Sequence, residues 1–156
     1  MSKKQLDVLV SQFNDALKKG AKVEFGGKRL TDGKYKKGNY FMPTILTNIK
    51  PNMKVLTEEV FGPILPIVAF NTEEEAVRLA NNIEYGLSAE VYTTDLKKGE
   101  RVARQIQAGT VTINTDNFFK PECPFGGYKK SGMGREYGEI GFKEFSQVKL
   151  VAVTKP

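Results

Sequence analysis

"SAEVYTTDLKKGERVARQIQAGTVTIN", at residues 88–114, decides the fold class. Its two ends predict strands, and the residues between them predict a helix that ends at Gly109. A strand–helix–strand unit of this length joins two parallel strands through a right-handed crossover. We therefore predict an α/β fold with a parallel sheet, and we expect ligands at the carboxyl ends of its strands.

The residues just upstream extend the same pattern. "ILPIVAF" (64–70) predicts a nearly continuous apolar strand. Thr72 and Glu75 have the spacing of a capping box at the start of a helix. A second strand–helix step therefore precedes the first one.

The N-terminal third begins with an amphipathic helix that Gly20 ends. Short elements follow it: a strand at 21–25, a loop at 26–39, and an extended stretch at 40–46 in which Pro43 predicts an edge or a bend. The apolar residues of the helix recur at helical spacing: Leu6, Leu9, Val10, Phe13 and Leu17.

A long loop at 115–136, rich in aromatic residues, Gly and Pro, follows the strand that ends at Asn114. Long ordered loops are usually functional, so we expect site residues here and expect Asn114 to tie the loop backbone. Further on, the pattern predicts a short helix near 135–145 and a last strand at 147–155. That last strand can pair with its own sheet or with a neighbouring chain.

Composition excludes several classes of function. The 156 residues carry no His and one cysteine, Cys123, which excludes an internal disulfide and argues against a Cys/His metal site. We expect a cytoplasmic protein, with no metal and no membrane association, because neither a long apolar run nor a signal-peptide pattern is present. The net charge of +6 raises nucleic-acid binding as an alternative, but residues 51–100 are acidic and we expect no nucleic-acid partner.

Two features suggest a site but are rejected, the first on its spacing and the second on the charge beside it. The glycines of "GMGREYG" (132–138) are one residue too far apart for a dinucleotide fingerprint, and no strand leads into them. We interpret them as turn formers. Cys123 stands beside Glu122, whose carboxylate disfavours the thiolate, so we do not expect a nucleophile there.

Other segments do carry a resemblance to a known family. In order along the chain they are GGKRL, YFMPTIL, EEVFGPILPI, EEEAVRLANNIEYGLSAEVYT, QAGTVTIN, PFGGYKKSGMGRE and EFSQVKLVAV. Through them the chain resembles, over almost its whole length, the C-terminal part of the NAD(P)-dependent aldehyde dehydrogenase superfamily. The pair EEVFGP and PFGGYKKSG is the most specific part of the match.

The resemblance implies roles for individual residues. Glu59 would accept hydrogen bonds from the ribose hydroxyls next to the nicotinamide, and Phe61 would pack beside the nicotinamide ring. Glu58 would be structural. The aldehyde tunnel would be lined by Phe119 and Phe125, with Cys123 near the same mouth; that these aromatics belong to the core is the alternative.

The resemblance also implies what lies outside this chain. The family's nucleophilic cysteine, its general-base glutamate and its dinucleotide-binding domain all precede the matched part, so we expect no catalytic residue here and no dehydrogenase activity by the chain alone. NAD or NADP would be the cofactor of the complete enzyme. A split gene, with the missing N-terminal half as a partner, a truncated reading frame and a chain cut at a chosen point all fit the resemblance.

The implied fold is a three-layer catalytic-domain fragment at residues 1–131, followed by a C-terminal helix and oligomerisation strand at 132–156. Residues 147–154 would join a homo-oligomer. The alternative is a non-catalytic oligomerisation module derived from the same fold.

Overall fold

The computed structural model describes residues 1–116 and 120–155, and the chain divides into two compact units, Met1–Glu84 and Tyr85–Pro156. Both units mix helices with strands, which confirms the predicted α/β class. The predicted division at residue 131 separates a catalytic part from an oligomerisation arm by their function. It stays a prediction.

The elements of the first unit follow one another with short connections. In order they are α1 (Lys3–Lys18), β1 (Lys22–Phe25), β2 (Arg29–Leu30), β3 (Tyr40–Phe41), β4 (Thr44–Thr47), α2 (Lys54–Thr57), β5 (Ile64–Pro66) and α3 (Glu73–Ala80). A 3₁₀ turn at Gly33–Tyr35 separates β2 from β3. The predicted loop at 26–39 therefore contains one strand of a short antiparallel ribbon, β2–β3.

Helix α1 forms where the sequence predicts it. The Ser2 hydroxyl accepts a hydrogen bond from the Gln5 N–H, which caps the first turn. After the last turn, Gly20 has a φ of +97°, a left-handed conformation that glycine adopts without a steric penalty. The buried side of the helix packs into the core of the unit, whose members are Leu6, Leu9, Phe13, Ala16, Phe41, Leu46, Ile49, Met53, Val55 and Ile64.

Strand β4 is the centre of a three-stranded sheet in the order β1–β4–β5. It pairs antiparallel with β1 and parallel with β5. Pro43 stands between β3 and β4, where the predicted extended stretch is interrupted. Strand β5 is shorter than the predicted 64–70: the Ile67 N–H still bonds to the Leu46 carbonyl, and the chain then leaves the sheet.

Helix α3 begins with the predicted cap. The Thr72 hydroxyl accepts from the Glu75 N–H at 3.2 Å, and the Glu75 carboxylate accepts from the Asn71 N–H at 2.9 Å. In the usual capping box the glutamate accepts from the N–H of the N-cap residue, which here is Thr72. Here Glu75 accepts from the N–H of Asn71, one residue earlier.

The second unit is built around residues 88–114. Its elements are β6 (Tyr85–Gly86), β7 (Ser88–Val91), α4 (Leu96–Ala103), β8 (Thr110–Ile113), β9 (Tyr128–Lys129) and α5 (Gly138–Glu144). Strands β7 and β8 are parallel, with Ser88 opposite Thr110 and Val91 opposite Ile113, and α4 connects them. The predicted strand–helix–strand unit is confirmed.

One boundary in this unit was predicted wrongly. Helix α4 ends at Ala103 and not at Gly109. Gly109 serves a different purpose: its N–H bonds to the Gly86 carbonyl at 3.1 Å, and a Cβ there would overlap the Gly126 carbonyl. The glycine is required by a close backbone approach at the start of β8, not by the helix end.

The chain ends in an exposed segment. Residues 147–155 form no strand with the rest of the described chain, so pairing with the chain's own sheet is not observed. Val148, Leu150 and Val153 are almost fully exposed. Pairing with a neighbouring chain stays a prediction. Among the described helices, none combines the length and the apolar character that a membrane span requires.

Candidate functional site

The first candidate site is the turn at residues 58–63, which leads from α2 into β5. The helix that leads into the turn, α2, is held by α1. The carboxylate of Asp15, on α1, accepts a hydrogen bond from the Lys54 N–H at 2.9 Å and so caps α2. That bond, followed by one from Lys19, lowers the pKa of Asp15 below its usual value. The carboxylate therefore stays ionised, which suits a helix N-terminus.

Two glutamine side chains of α1 then hold the backbone of the turn. Gln12 Nε2 donates to the Glu59 carbonyl at 3.0 Å, and Gln5 Nε2 donates to the Phe61 carbonyl at 3.2 Å. The two glutamines are seven residues apart, so they lie on the same side of the helix. Helix α1 thus holds the turn through two side-chain hydrogen bonds to its backbone.

Between these two bonds, the turn touches the helix directly at Gly62. A Cβ on Gly62 would lie 2.7 Å from Leu9 Cδ1 and 2.8 Å from Leu9 Cδ2. Leu9 is completely buried in the core, so a shift of its side chain would disturb the packing around it. A glycine is therefore required for the turn to approach the helix so closely.

The two adjacent carboxylates have different surroundings. Glu58 is engaged, since its carboxylate lies 3.4 Å from Gln12 Nε2 and forms an ion pair of 3.5 Å with Lys54. The Glu59 carboxylate is exposed and has no hydrogen bond or ion pair among the described residues. Phe61, on the same turn, is 69% exposed. The turn fixes its backbone and presents one free carboxylate and one aromatic ring.

The amide of Gln12 is unusual for the position it occupies. It lies in the apolar face of α1, beside Phe13, and is only 2% exposed. Because both nearby acceptors require the NH₂ group, the orientation of the amide is settled, and its Oε1 is left buried with no hydrogen-bond partner among the described residues. Such an unpaired carbonyl costs on the order of 1–3 kcal/mol. Sequence reasoning missed this residue, although a polar side chain between Leu9 and Phe13 on the apolar stripe was a usable signal.

The second candidate site lies in the second unit. Cys123 and Phe125 are half-buried and line one cavity of about 310 Å³. The other lining residues are Gly109, Thr110, Val111, Lys120 and Pro124. The cavity is mainly apolar, as expected for a place that takes up a hydrophobic group. Phe119, the other predicted tunnel residue, lies outside the described residues.

The loop around Phe125 is organised by its backbone and by one arginine. Phe125 and Glu136 exchange two backbone hydrogen bonds, of 2.8 and 2.7 Å. Arg135 Nη1 lies 2.9 Å from the Gly127 carbonyl. Gly132 and Gly138 have φ values of +100° and +61°, which confirms that the glycines of "GMGREYG" include turn formers.

Asn114 joins the carboxyl ends of the two parallel strands. Its Oδ1 accepts from the Thr93 N–H and its Nδ2 donates to the Thr93 carbonyl, both at 2.8 Å. Asn114 itself is left-handed, with a φ of +57°, a conformation that asparagine tolerates better than most residues. Asn114 therefore ties the backbone that follows β7, at Thr93, and not that of the predicted loop at 115–136 among the described residues.

The predicted site residues thus fall into two groups. Glu59 and Phe61 share one turn of the first unit, and Cys123 and Phe125 share one cavity of the second. Within the described ranges, no group of three or more Cys, Asp or Glu side chains is placed to hold a metal ion.

Comparison with known proteins relates both sites to one family. Residues 1–151 match the model of the aldehyde dehydrogenase family. The chain is 45% identical over 141 residues to betaine aldehyde dehydrogenase of Bacillus subtilis, covering 90% of this chain and 29% of the relative. It is 42% identical over 156 residues to human retinal dehydrogenase 2, covering 100% of this chain and 29% of that protein.

Solved structures give the same picture. A betaine aldehyde dehydrogenase from Staphylococcus aureus, in complex with NAD⁺, superposes with a TM-score of 0.84 at 40% identity, over 92% of this chain and 28% of that one. An NAD-dependent aldehyde dehydrogenase from Sinorhizobium meliloti gives 0.89 at 41% identity, over 99% and 30%. The chain spans less than a third of the length of each of these relatives.

Proposed function

Because this chain belongs to the aldehyde dehydrogenase family, we propose that it is the C-terminal part of an enzyme that oxidises an aldehyde to a carboxylic acid with NAD⁺ or NADP⁺. In that enzyme it supplies the contact to the nicotinamide ribose and part of the wall of the substrate tunnel. The solved relative from Staphylococcus aureus is a complex with NAD⁺, which supports this choice of cofactor.

The observation that carries the proposal is that Glu58 has partners for its carboxylate and Glu59 has none among the described residues. Glu58 is already paired, whereas the Glu59 carboxylate is exposed and free of partners among the described residues. A free carboxylate on a rigid backbone can accept hydrogen bonds from two neighbouring hydroxyl groups, as a ribose offers them. These residues therefore fit the sugar of a nicotinamide dinucleotide.

Phe61 completes this contact. Its exposed ring stands two residues from Glu59, on the turn that Gln5 and Gly62 hold against α1. A nicotinamide, when bound, accepts a hydride from the substrate. The role of Phe61 is to limit where that flat ring can lie, because transfer depends on a close and aligned approach.

In the second unit, the cavity bordered by Cys123 and Phe125 forms part of the aldehyde tunnel, together with Phe119. Its mainly apolar lining would desolvate the aldehyde and keep water from the reacting carbon. The substrate of the complete enzyme is an aldehyde, and the lining favours one with an apolar portion.

The chain has no catalytic residue of its own in this proposal. Cys123, its single thiol, lines a tunnel wall and is not the nucleophile. The nucleophile, the general base and the dinucleotide-binding domain belong to the N-terminal part of the enzyme, and the isolated chain is inactive. The reaction takes place in the cytoplasm.

Association is the second part of the proposal. Residues 147–154 carry exposed Val148, Leu150, Val151 and Val153, and an apolar segment with unpaired backbone is suited to adding a strand to a partner's sheet. We propose that these residues join copies of the chain into a homo-oligomer. The same observation supports the alternative function, a non-catalytic oligomerisation module.

Complementation tests the proposal. The purified chain is assayed for nicotinamide reduction by absorbance, with a panel of aldehydes that includes betaine aldehyde and retinal, and with NAD⁺ and NADP⁺ separately. The assay is repeated with an added polypeptide that carries the remaining N-terminal part of the Bacillus subtilis relative. We expect no turnover by the chain alone and turnover in the mixture.

Glu59→Gln is the decisive variant. It exchanges a charge-assisted hydrogen bond for a neutral one, and we expect kcat/KM for the cofactor to fall about tenfold. Glu74→Gln, which removes the same charge from an exposed position on α3, is the matched control and should leave turnover unchanged. Turnover by the chain alone, or equal effects of the two variants, would contradict the proposal. Silence in the mixture together with concentration-dependent association would favour the oligomerisation module.

A further inference from the structure

The side chain of Gln12 has a polar contact that the proposed function does not yet use. We propose that Gln12 is a positioning residue: its amide fixes the backbone of Glu59 and thereby sets where the Glu59 carboxylate can meet the cofactor. This inference rests on the proposed function, and it assigns a role to a residue that does not itself touch the cofactor.

The contact acts at Glu59 itself. Gln12 Nε2 lies 3.0 Å from the Glu59 carbonyl oxygen, whereas the bond from Gln5 acts two residues later, at Phe61. The same NH₂ group faces the Glu58 carboxylate at 3.4 Å. One buried amide therefore engages both carboxylate-bearing residues of the turn, one through its side chain and one through its backbone.

The position of the amide is itself rigid. Gln12 is 2% exposed, and its neighbours on the buried face of α1 are Leu9, Phe13 and Ala16, all of them in the core. The close packing of the interior restricts the movement of a side chain in such a place. The amide can therefore hold the carbonyl of Glu59 in one position.

Folding stability alone does not account for a glutamine here. Within the part of the chain that the structure describes, Gln12 Oε1 is buried with no hydrogen-bond partner, which opposes folding. A methionine has a similar length and volume and no group that needs a hydrogen bond. We therefore expect Gln12→Met to keep or raise stability while it releases the turn, a separation that a merely structural role would not produce.

The test uses the full chain and three readouts. Gln12→Met and Gln12→Leu are compared with the wild type and with Asn14→Ala, a control on the exposed side of the same helix. Urea unfolding measures stability, and hydrogen exchange measured by mass spectrometry on peptides that cover residues 58–66 measures the freedom of the turn. In the complemented enzyme, kcat/KM for NAD⁺ is measured for each Gln12 variant, for Glu59→Gln, and for the double variants.

We expect the Gln12 variants to unfold at the wild-type urea concentration or above it, and to exchange about fivefold faster at 58–66 with no change at 22–25. We expect kcat/KM for NAD⁺ to fall about tenfold, since small displacements of a contact group are costly in rate. Each double variant should lie within about twofold of Glu59→Gln alone, because Gln12 acts through Glu59.

Unchanged exchange at 58–66, or losses that multiply in the double variants, would overturn the inference. If both Gln12 variants lose stability and exchange faster throughout the first unit, the residue is only structural and the inference is also wrong. Absence of turnover by the complemented wild type is a different result: it contradicts the proposed function, while the exchange data still decide whether Gln12 fixes the turn.

Discussion

Substitution of Gly62 by alanine is the sharpest test of how the turn at 58–63 is held. The added Cβ would lie 2.7 and 2.8 Å from the two methyl carbons of Leu9. Carbon atoms in good contact lie about 3.5–4.0 Å apart, so the overlap is about 1 Å. Since Leu9 is fully buried in the core, the turn has to move instead of the leucine.

The expected cost follows from this overlap. An extra carbon in a packed site destabilises by about 1–3 kcal/mol, and with an ordinary urea dependence the midpoint of unfolding falls by about 1 M. In the complemented enzyme, kcat/KM for NAD⁺ should fall as well, because Glu59 and Phe61 move with the turn. Far-ultraviolet circular dichroism in urea measures the first effect.

Two comparisons make the result specific. Gly134→Ala adds the same carbon where nothing lies within 4 Å, so its midpoint should be unchanged or slightly raised. Leu9→Ala removes the methyl groups that the new carbon meets, so the double variant should cost less than the sum of the two single ones. Strict additivity, or an unchanged midpoint for Gly62→Ala, would refute the packing argument.

Two further predictions concern the supports of the sites. The pKa of Asp15 is lowered by its bonds to Lys54 and Lys19, so its contribution to stability is present above about pH 4 and is lost as the pH falls further. The urea midpoint of Asp15→Asn should therefore depend less on pH, between about 3 and 5, than the midpoint of the wild type. Parallel curves of midpoint against pH would contradict this. Asn114→Ala breaks both 2.8 Å bonds to Thr93 and places alanine at a φ of +57°, which should cost about 2–3 kcal/mol. Asn114→Gly keeps the backbone relaxed and should lose only the part due to the hydrogen bonds; equal losses in thermal unfolding would show that the left-handed backbone is not strained.

The strand–helix–strand unit was predictable because its signals are local. Alternating and apolar runs predict β7 and β8, and Asp95, which caps α4 by accepting from the Lys98 N–H, marks the helix start. The family resemblance read from the motifs is confirmed by the match over residues 1–151. These features depend on neighbours in sequence, where periodicity and motifs are informative.

The features that sequence reasoning missed depend on distant residues. In the sequence, Gly109 has the position of a typical helix terminator. In the structure a glycine is required there because a Cβ would overlap the carbonyl of Gly126, which lies further along the chain. The contact of Gln12 with Glu59 joins residues that are 47 positions apart. Strand β2 has two residues, too few for a periodic signal. Tertiary contacts of this kind leave only weak traces in a single sequence.

The exposed segment at 147–155 has a consequence for the lifetime of the protein. Proteases bind their substrates as extended strands, and Lys149 stands within an accessible run of Val148, Leu150, Val151 and Val153. A backbone that is available for pairing with a sheet is equally available to the cleft of a trypsin-like enzyme. Under the proposed association, strand pairing would compete with cleavage at this segment, and the concentration of the chain would decide which of the two occurs first.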